Sequence, residues 1–192
     1  MPNGPDIVTL DTDDQLREAI AAHQRIHGDP AFVWEDFHYR HPHWSAPGAT
    51  WAVVENGRIV ALTSLAMIDL RIGDTTLPAG EIGLVGTLPE RRNQGHSRRL
   101  MESWLGTMHE QQVPLTYLVG ISGYYERWDY QYAAPDQVNH FLVITHDPLA
   151  HCAEARGIVR DATPDDIPAI QVMLDAELRD TPCSAVLDHA LL

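Results

Sequence analysis

The chain has 192 residues, a net charge of −14 at pH 7 and an apolar fraction of 44% with five Trp. This length predicts one full domain with an appendage, and such an apolar content excludes a disordered chain. The acidic balance, with thirteen Arg and no Lys, argues against nucleic acid as a partner and suits a cationic substrate such as an amine; genome base composition or a salty cytoplasm explains it equally well.

In chain order, Met1-Pro2-Asn3-Gly4-Pro5-Asp6 lacks the basic and apolar regions of a signal peptide. No later apolar run approaches the roughly 20 residues of a membrane span, so the cytoplasm is the expected location, with no membrane partner. Ile7 to Leu10 reads as a short strand, and Asp13 as the N-cap of a helix to about His27 with Leu16, Ile20 and His23 or Gln24 on one face. Pro30 to Pro47 is aromatic and histidine-rich, with one short helix expected around Trp34 to Tyr39. Trp51 to Glu55 and Arg58 to Ala66, joined by Asn56-Gly57, form a hairpin signal, because Asn-Gly suits a type I′ turn. Met67 to Gly73 prolongs the second strand, and Glu81 to Thr87 continues the meander. A helix is expected from about Gly95 to Gln111, with Leu100, Met101, Trp104, Leu105 and Met108 inward at helical spacing. Pro114 ends it. Strands are then expected at Leu115 to Ile121 and Asn139 to Thr145, with a turn of helix from Tyr124 to Trp128 between them.

The stretch Arg91-Arg92-Asn93-Gln94-Gly95-His96-Ser97-Arg98-Arg99 concentrates four of the thirteen Arg in an acidic protein. It connects a strand to a helix N-terminus, where unpaired backbone N–H groups and the helix dipole favour an anion. Gly95 admits a close backbone approach. A phosphorylated ligand is the natural reason for such a cluster.

Near the end, Ile158-Val159-Arg160-Asp161-Ala162-Thr163-Pro164-Asp165-Asp166-Ile167 resembles the pattern of Ile7 to Leu16. An apolar face of Ile167, Ile170, Leu174 and Leu178 follows, as it would at the start of a second copy of the domain. About 35 residues cannot bury a core of their own. The expected organisation is a domain over residues 1–146, a linker over 147–157, and a truncated second repeat over 158–192. Cys152 and Cys183 have neither metal-ligand nor disulfide-framework spacing.

The order strand, Arg92-x-x-Gly95-x-Ser97, long helix, strand, then Tyr125-Glu126-Arg127-Trp128-Asp129-Tyr130 resembles the GCN5-related N-acetyltransferase (GNAT) superfamily over about residues 7 to 145. The tandem tail makes it similar to the N-terminal domain of the multi-domain enhanced-intracellular-survival type. Ser97 stands where Gly or Ala is usual, His96 replaces an apolar residue, and Asp129 replaces a common Gly. The resemblance implies an α/β (α+β) fold with a mixed, mostly antiparallel twisted sheet flanked by helices. It also implies acetyl-CoA as co-substrate. The backbone of Val85, Gly86 and Thr87 would pair with the pantetheine amides, and an N–H near Val85 would polarise the thioester carbonyl. Arg92, Asn93, Gln94, Gly95, His96 and Ser97 would hold the pyrophosphate. Arg98 or Arg99 either reaches the 3′-phosphate or is a solvated, ion-paired helix residue.

By the same resemblance Tyr125 is the general acid. A CoA thiol of pKa near ~8.5 can take a proton from a tyrosine near ~10 as negative charge develops on sulfur. Tyr124 is the neighbour most easily confused with it. Glu81, eleven residues before Arg92, has the spacing of the strand glutamate that serves as base in the histone-acetyltransferase branch. A carboxylate on a mostly buried strand suits that role, with ordered water the alternative. His38, His41 and His43 invite a metal reading, but Pro42 and the mixed spacing fit no clean ligand pair, and a substrate-facing wall is favoured; no metal is expected.

The function expected is transfer of acetyl from acetyl-CoA to a primary amine by direct attack. The acceptor would be a small-molecule or protein amine. A non-catalytic acyl-CoA-binding or regulatory module is the first rival. A homo-oligomer formed through the half-repeat is the second.

Overall fold

A computed structural model describes residues 6–41, 43–121, 123–133, 160, 162–179, 181 and 183–186. The chain begins with β1 (Asp6–Thr9) and α1 (Asp13–His27). Thr12, not Asp13, is the N-cap of α1: its hydroxyl accepts from Gln15 N while the Gln15 side chain accepts from Thr12 N, a reciprocal capping box. Asp13 and Asp14 instead occupy the first turn, where the helix dipole favours acids. Helix α2 (Ala31–Tyr39) starts directly after Pro30, three residues earlier than the aromatic pattern suggests, because proline's fixed φ suits a helix entry.

Strands β2 (Thr50–Glu55), β3 (Arg58–Ile72) and β4 (Thr75–Thr87) form an antiparallel meander, and β1 adds antiparallel to the outer edge of β2. The run from Arg58 is one uninterrupted 15-residue strand. Helix α3 (His96–Glu110) returns the chain, and β5 (Leu115–Tyr117) joins β4 in parallel. Strand β5 is shorter than the apolar run to Ile121 suggests. After Tyr117 the chain leaves the sheet, and Leu118 packs under α3 instead. The expected helical turn near Tyr124 is a 3-10 turn at Glu126–Trp128. Further on, a 3-10 turn at Pro164–Asp166, helix α4 (Ile167–Leu178) and β6 (Cys183–Ala185) follow, and β6 pairs antiparallel with the far end of β3. The expected strand at 139–145 and linker at 147–157 lie outside the described residues.

The sheet is thus mostly antiparallel with helices on both faces, as expected. Ala19 and Ala22 of α1 pack on Leu10, Ala52, Ile59, Leu62 and Leu88. On the opposite face Met101, Trp104 and Met108 of α3 pack on Leu65 and Ile82, with Val85, Leu118, Tyr125, Trp128 and Tyr130 around them. His23, rather than Gln24, completes the inner side of α1 and is fully buried, stacked on Trp34 at 4.5 Å. No described helix is long and apolar enough to cross a membrane.

Candidate functional site

The site begins with an irregularity in β4. Leu62 pairs with Gly86 and Ser64 with Gly83, so Thr63 alone faces both Leu84 and Val85. This is a β-bulge, and it holds Leu84 at φ +54°, a region that a residue with a Cβ enters only at a cost. The Thr63 hydroxyl donates to the Gly83 carbonyl at 3.2 Å and steadies the bulge. Strand β5 pairs with Ala79, Gly80 and Glu81 only. Beyond them, among the described residues, the outer edge of β4 has no strand partner from Ile82 to Thr87. Unpaired N–H and C=O groups of a strand edge are a template for another extended amide chain. Val85, Gly86 and Thr87 lie on that free stretch.

Directly after it, a 3-10 turn at Pro89–Arg91 feeds the loop Arg92–Gly95, and α3 starts at His96. Asn93 and Gly95 are both left-handed, at φ +62° and +81°. A Cβ on Gly95 would meet nothing within 4 Å, so glycine is needed there for its φ and not for space. No side chain caps α3, which leaves first-turn N–H donors available to an anion. The Thr87 and Ser97 hydroxyls bond each other at 2.8 Å, and Arg92 Nε donates to the Thr87 carbonyl at 3.4 Å. Arg92, Asn93, Gln94 and Gly95 are exposed together. His96 is different: its ring is only 4% exposed and turns inward, with Nε2 3.6 Å from Glu55 Oε1. It offers the loop a backbone N–H and no side chain. Arg98 is exposed and Arg99 half-buried.

Tyr125 sits on the α3 face, in the same cluster as Val85. Its ring lies against Gly120, where a Cβ would come within 2.3 Å of Tyr125 Cε2. Tyr124 and Tyr130 are edge-on neighbours, at 4.9 and 6.3 Å between ring centroids. Among the described residues the Tyr125 hydroxyl has no hydrogen-bond partner. Burial, then the neighbouring Tyr124 and Tyr130, raise its pKa, so the phenol stays protonated at neutral pH.

Glu81 is on the other face. Tyr117 Oη donates to Glu81 Oε2 at 2.8 Å. Burial and this bond to a carboxylate raise the pKa of Tyr117 and keep it a donor. Trp44 lies over Gly83, where a Cβ would come within 2.8 Å of the indole, and Phe37 stacks on Trp44 at 5.0 Å. The fold therefore sets an aromatic wall, Glu81 and Tyr117 on the α2 face of the sheet, with Tyr125 on the α3 face. Glu81 and Tyr125 do not touch. Tyr117 and the bulge residue Leu84 are the parts that sequence reasoning missed. The glycines flanking Leu84-Val85 were the only local signal for the bulge, and nothing local pairs Tyr117 with Glu81.

The three histidines of the 38–43 segment diverge. His38 is buried beside Thr50, with Nδ1 at 3.5 Å from the hydroxyl, whereas His43 Nδ1 is 3.0 Å from the Met67 carbonyl. The His41 and His43 ring centroids are 6.1 Å apart. Among the described residues no three His, Cys, Asp or Glu side chains converge as ligands.

The family model described as an acetyltransferase (GNAT) domain matches residues 10–133. No curated protein matches the chain. Among solved structures, a probable N-acyltransferase from Enterococcus faecalis superposes with a TM-score of 0.57 at 16% identity, covering 67% of this chain and 32% of that one. Eis1 from Mycobacterium abscessus gives a TM-score of 0.56 at 16% identity, covering 65% and 31%. A GNAT acetyltransferase from Brucella melitensis in complex with acetyl-CoA gives 0.54 at 17% identity, covering 66% and 82%. The chain thus spans about a third of the length of the first two. At these identities the likeness is one of fold.

Proposed function

The chain belongs to the GNAT acetyltransferase family, and from that premise we propose that it transfers acetyl from acetyl-CoA to a primary amine by direct attack, with no covalent enzyme intermediate. The observation that carries this reading is the pairing of a bulged, free β4 edge with an uncapped, basic α3 N-terminus. Acetyl-CoA supplies an activated acyl group and a thiolate leaving group. The β4 edge at Val85, Gly86 and Thr87 fits its amide arm, and Arg92 to Ser97 fit its pyrophosphate, His96 through its backbone alone. A backbone N–H near Val85, at the bulge, would be a directed donor for a carbonyl oxygen on which charge develops.

The amine nitrogen forms the new C–N bond as the C–S bond breaks. Glu81, steadied by Tyr117, takes the amine proton, and Tyr125 gives its phenolic proton to the departing sulfur. The aromatic wall of Trp44 and Phe37 beside the Glu81 carboxylate suits a cationic acceptor. We also propose that residues 158–192 begin a second GNAT-like repeat, in keeping with the N-terminal domain of the enhanced-intracellular-survival type. Thr163 caps its helical unit through the same reciprocal box as Thr12, here with Asp166. In α4, Val172 and Met173 are 69% and 71% exposed.

The test is calorimetric titration of the purified chain with acetyl-CoA, followed by thiol-release assays over a panel of amines. Micromolar binding with turnover is the expected result. Binding without turnover on any amine would favour a non-catalytic acyl-CoA-binding module, and no binding by folded protein would sink the proposal.

A further inference from the structure

We propose that Glu55 is a positioning residue that pins both ends of the Arg92–Gly95 loop; this rests on reading that loop as the pyrophosphate site. Glu55 is the last residue of β2, across the tight Asn56-Gly57 turn from Arg58. Its two carboxylate oxygens go to different places. Oε2 lies 3.4 Å from Arg91 Nη1, and Oε1 lies 3.6 Å from His96 Nε2. Arg91 is the residue before the loop and His96 the residue after it. One carboxylate thus spans the entry and the exit of a four-residue segment that contains two left-handed residues, Asn93 and Gly95.

The His96 ring explains the arrangement from the other end. It is 4% exposed, and neither ring nitrogen has a hydrogen-bond partner among the described residues. A buried imidazole without a partner is costly, so the Glu55 carboxylate is its nearest compensation. Glu55 is itself only 19% exposed at its side chain and belongs to the β2–β3 hairpin, where its carboxylate faces Arg91 and His96. It therefore acts through the loop and not on reacting atoms. Without such a clamp the loop's ordering would be paid for when ligand binds, and affinity would fall.

The clamp and simple electrostatics predict opposite signs. Removing a carboxylate near an anion site should tighten binding if charge alone matters. If Glu55 positions the loop, Glu55→Gln should weaken CoA binding by about tenfold, the range of second-layer orienting contacts.

The experiment titrates the full chain calorimetrically with CoA and with pantetheine, the same thiol arm without the nucleotide. In Glu55→Gln the CoA dissociation constant should rise while that for pantetheine stays the same. With turnover, KM for acetyl-CoA should rise and kcat hold. His96→Leu, which frees only the far end, should give a smaller rise for CoA and none for pantetheine. Equal or tighter CoA binding by Glu55→Gln, or parallel losses for both ligands, would overturn the clamp with the site reading intact. A folded wild-type chain that does not bind CoA would overturn the site reading and the clamp together.

Discussion

Lowering the pH from 7.0 to 5.5 should destabilise this domain well before its carboxylates titrate. His23 is fully buried, and burial, then the nearby His38 and His27, lower its pKa to about 2. Burial lowers that of His38 to about 4. Both are neutral in the folded state at pH 5.5, while in the unfolded chain they titrate near 6.5. The unfolded state therefore binds more protons as the pH falls, and stability is lost progressively below about 6.5. For each histidine the loss between pH 7.0 and 5.5 is RT times the change in ln(1 + 10^(6.5 − pH)), about 1.3 kcal/mol, or about 2.5 kcal/mol for the pair. His27 and His41, also lowered chiefly by burial, act in the same direction. Glu90 and Asp166, lowered by their hydrogen bonds, contribute stability that is lost only as the pH falls through the ordinary carboxylate range and below it. With a urea slope of about 2 kcal/mol/M, the unfolding midpoint should fall by about 1 M. His23→Leu should reduce that fall by about half. A wild-type midpoint that does not move, or a variant whose fall is as steep as wild type, would refute the reasoning.

Tyr125→Phe should lower kcat by about a hundredfold in thiol-release assays, with acetyl-CoA affinity unchanged; an unchanged kcat would remove Tyr125 from the chemistry. Gly120→Ala should mimic this loss by pushing the Tyr125 ring away, since its Cβ would come within 2.3 Å of Cε2. Gly95→Ala should cost about 1 kcal/mol in denaturation because of its φ of +81°, and calorimetry should read weaker CoA binding. Arg71 donates to the carbonyls of Leu178 and Thr181 and to the Ser184 hydroxyl. Arg71→Ala should therefore release β6 from β3 and open residues 178–186 to limited proteolysis; an unchanged digestion pattern would mean that the strand pairing alone holds them.

The strand–loop–helix unit around Gly95 was legible because its signals are local. A glycine at a left-handed position, a basic cluster and an apolar stripe at helical spacing all fall within about twenty residues. The Asn56-Gly57 hairpin was legible for the same reason, with both turn residues at positive φ. Caps were less so. Thr12 and Asp13 are adjacent candidates, and only the Gln15 side chain folding back to Thr12 decides between them. On α1, His23 and Gln24 fit the apolar stripe equally well by spacing, and the stacking of His23 on Trp34 of another helix settles which is inside. The end of β5 at Tyr117 is not legible in the sequence, because an apolar run does not say which neighbour it packs against.

By itself the sequence determined the kinds and order of the elements from β1 to β5, the glycine-bearing basic loop before α3 and the family pattern, because periodicity and turn geometry act over a few residues. The tertiary structure alone decided the rest. It put the bulge at Leu84, which depends on the register between β3 and β4. It set Tyr117 on Glu81 from a parallel strand 36 residues away, and Trp44 over Gly83. It turned His96 inward and laid one Glu55 carboxylate across both ends of the loop. Each of these contacts joins residues far apart in the chain, and their positions follow from strand register and helix packing, which no local window of sequence encodes.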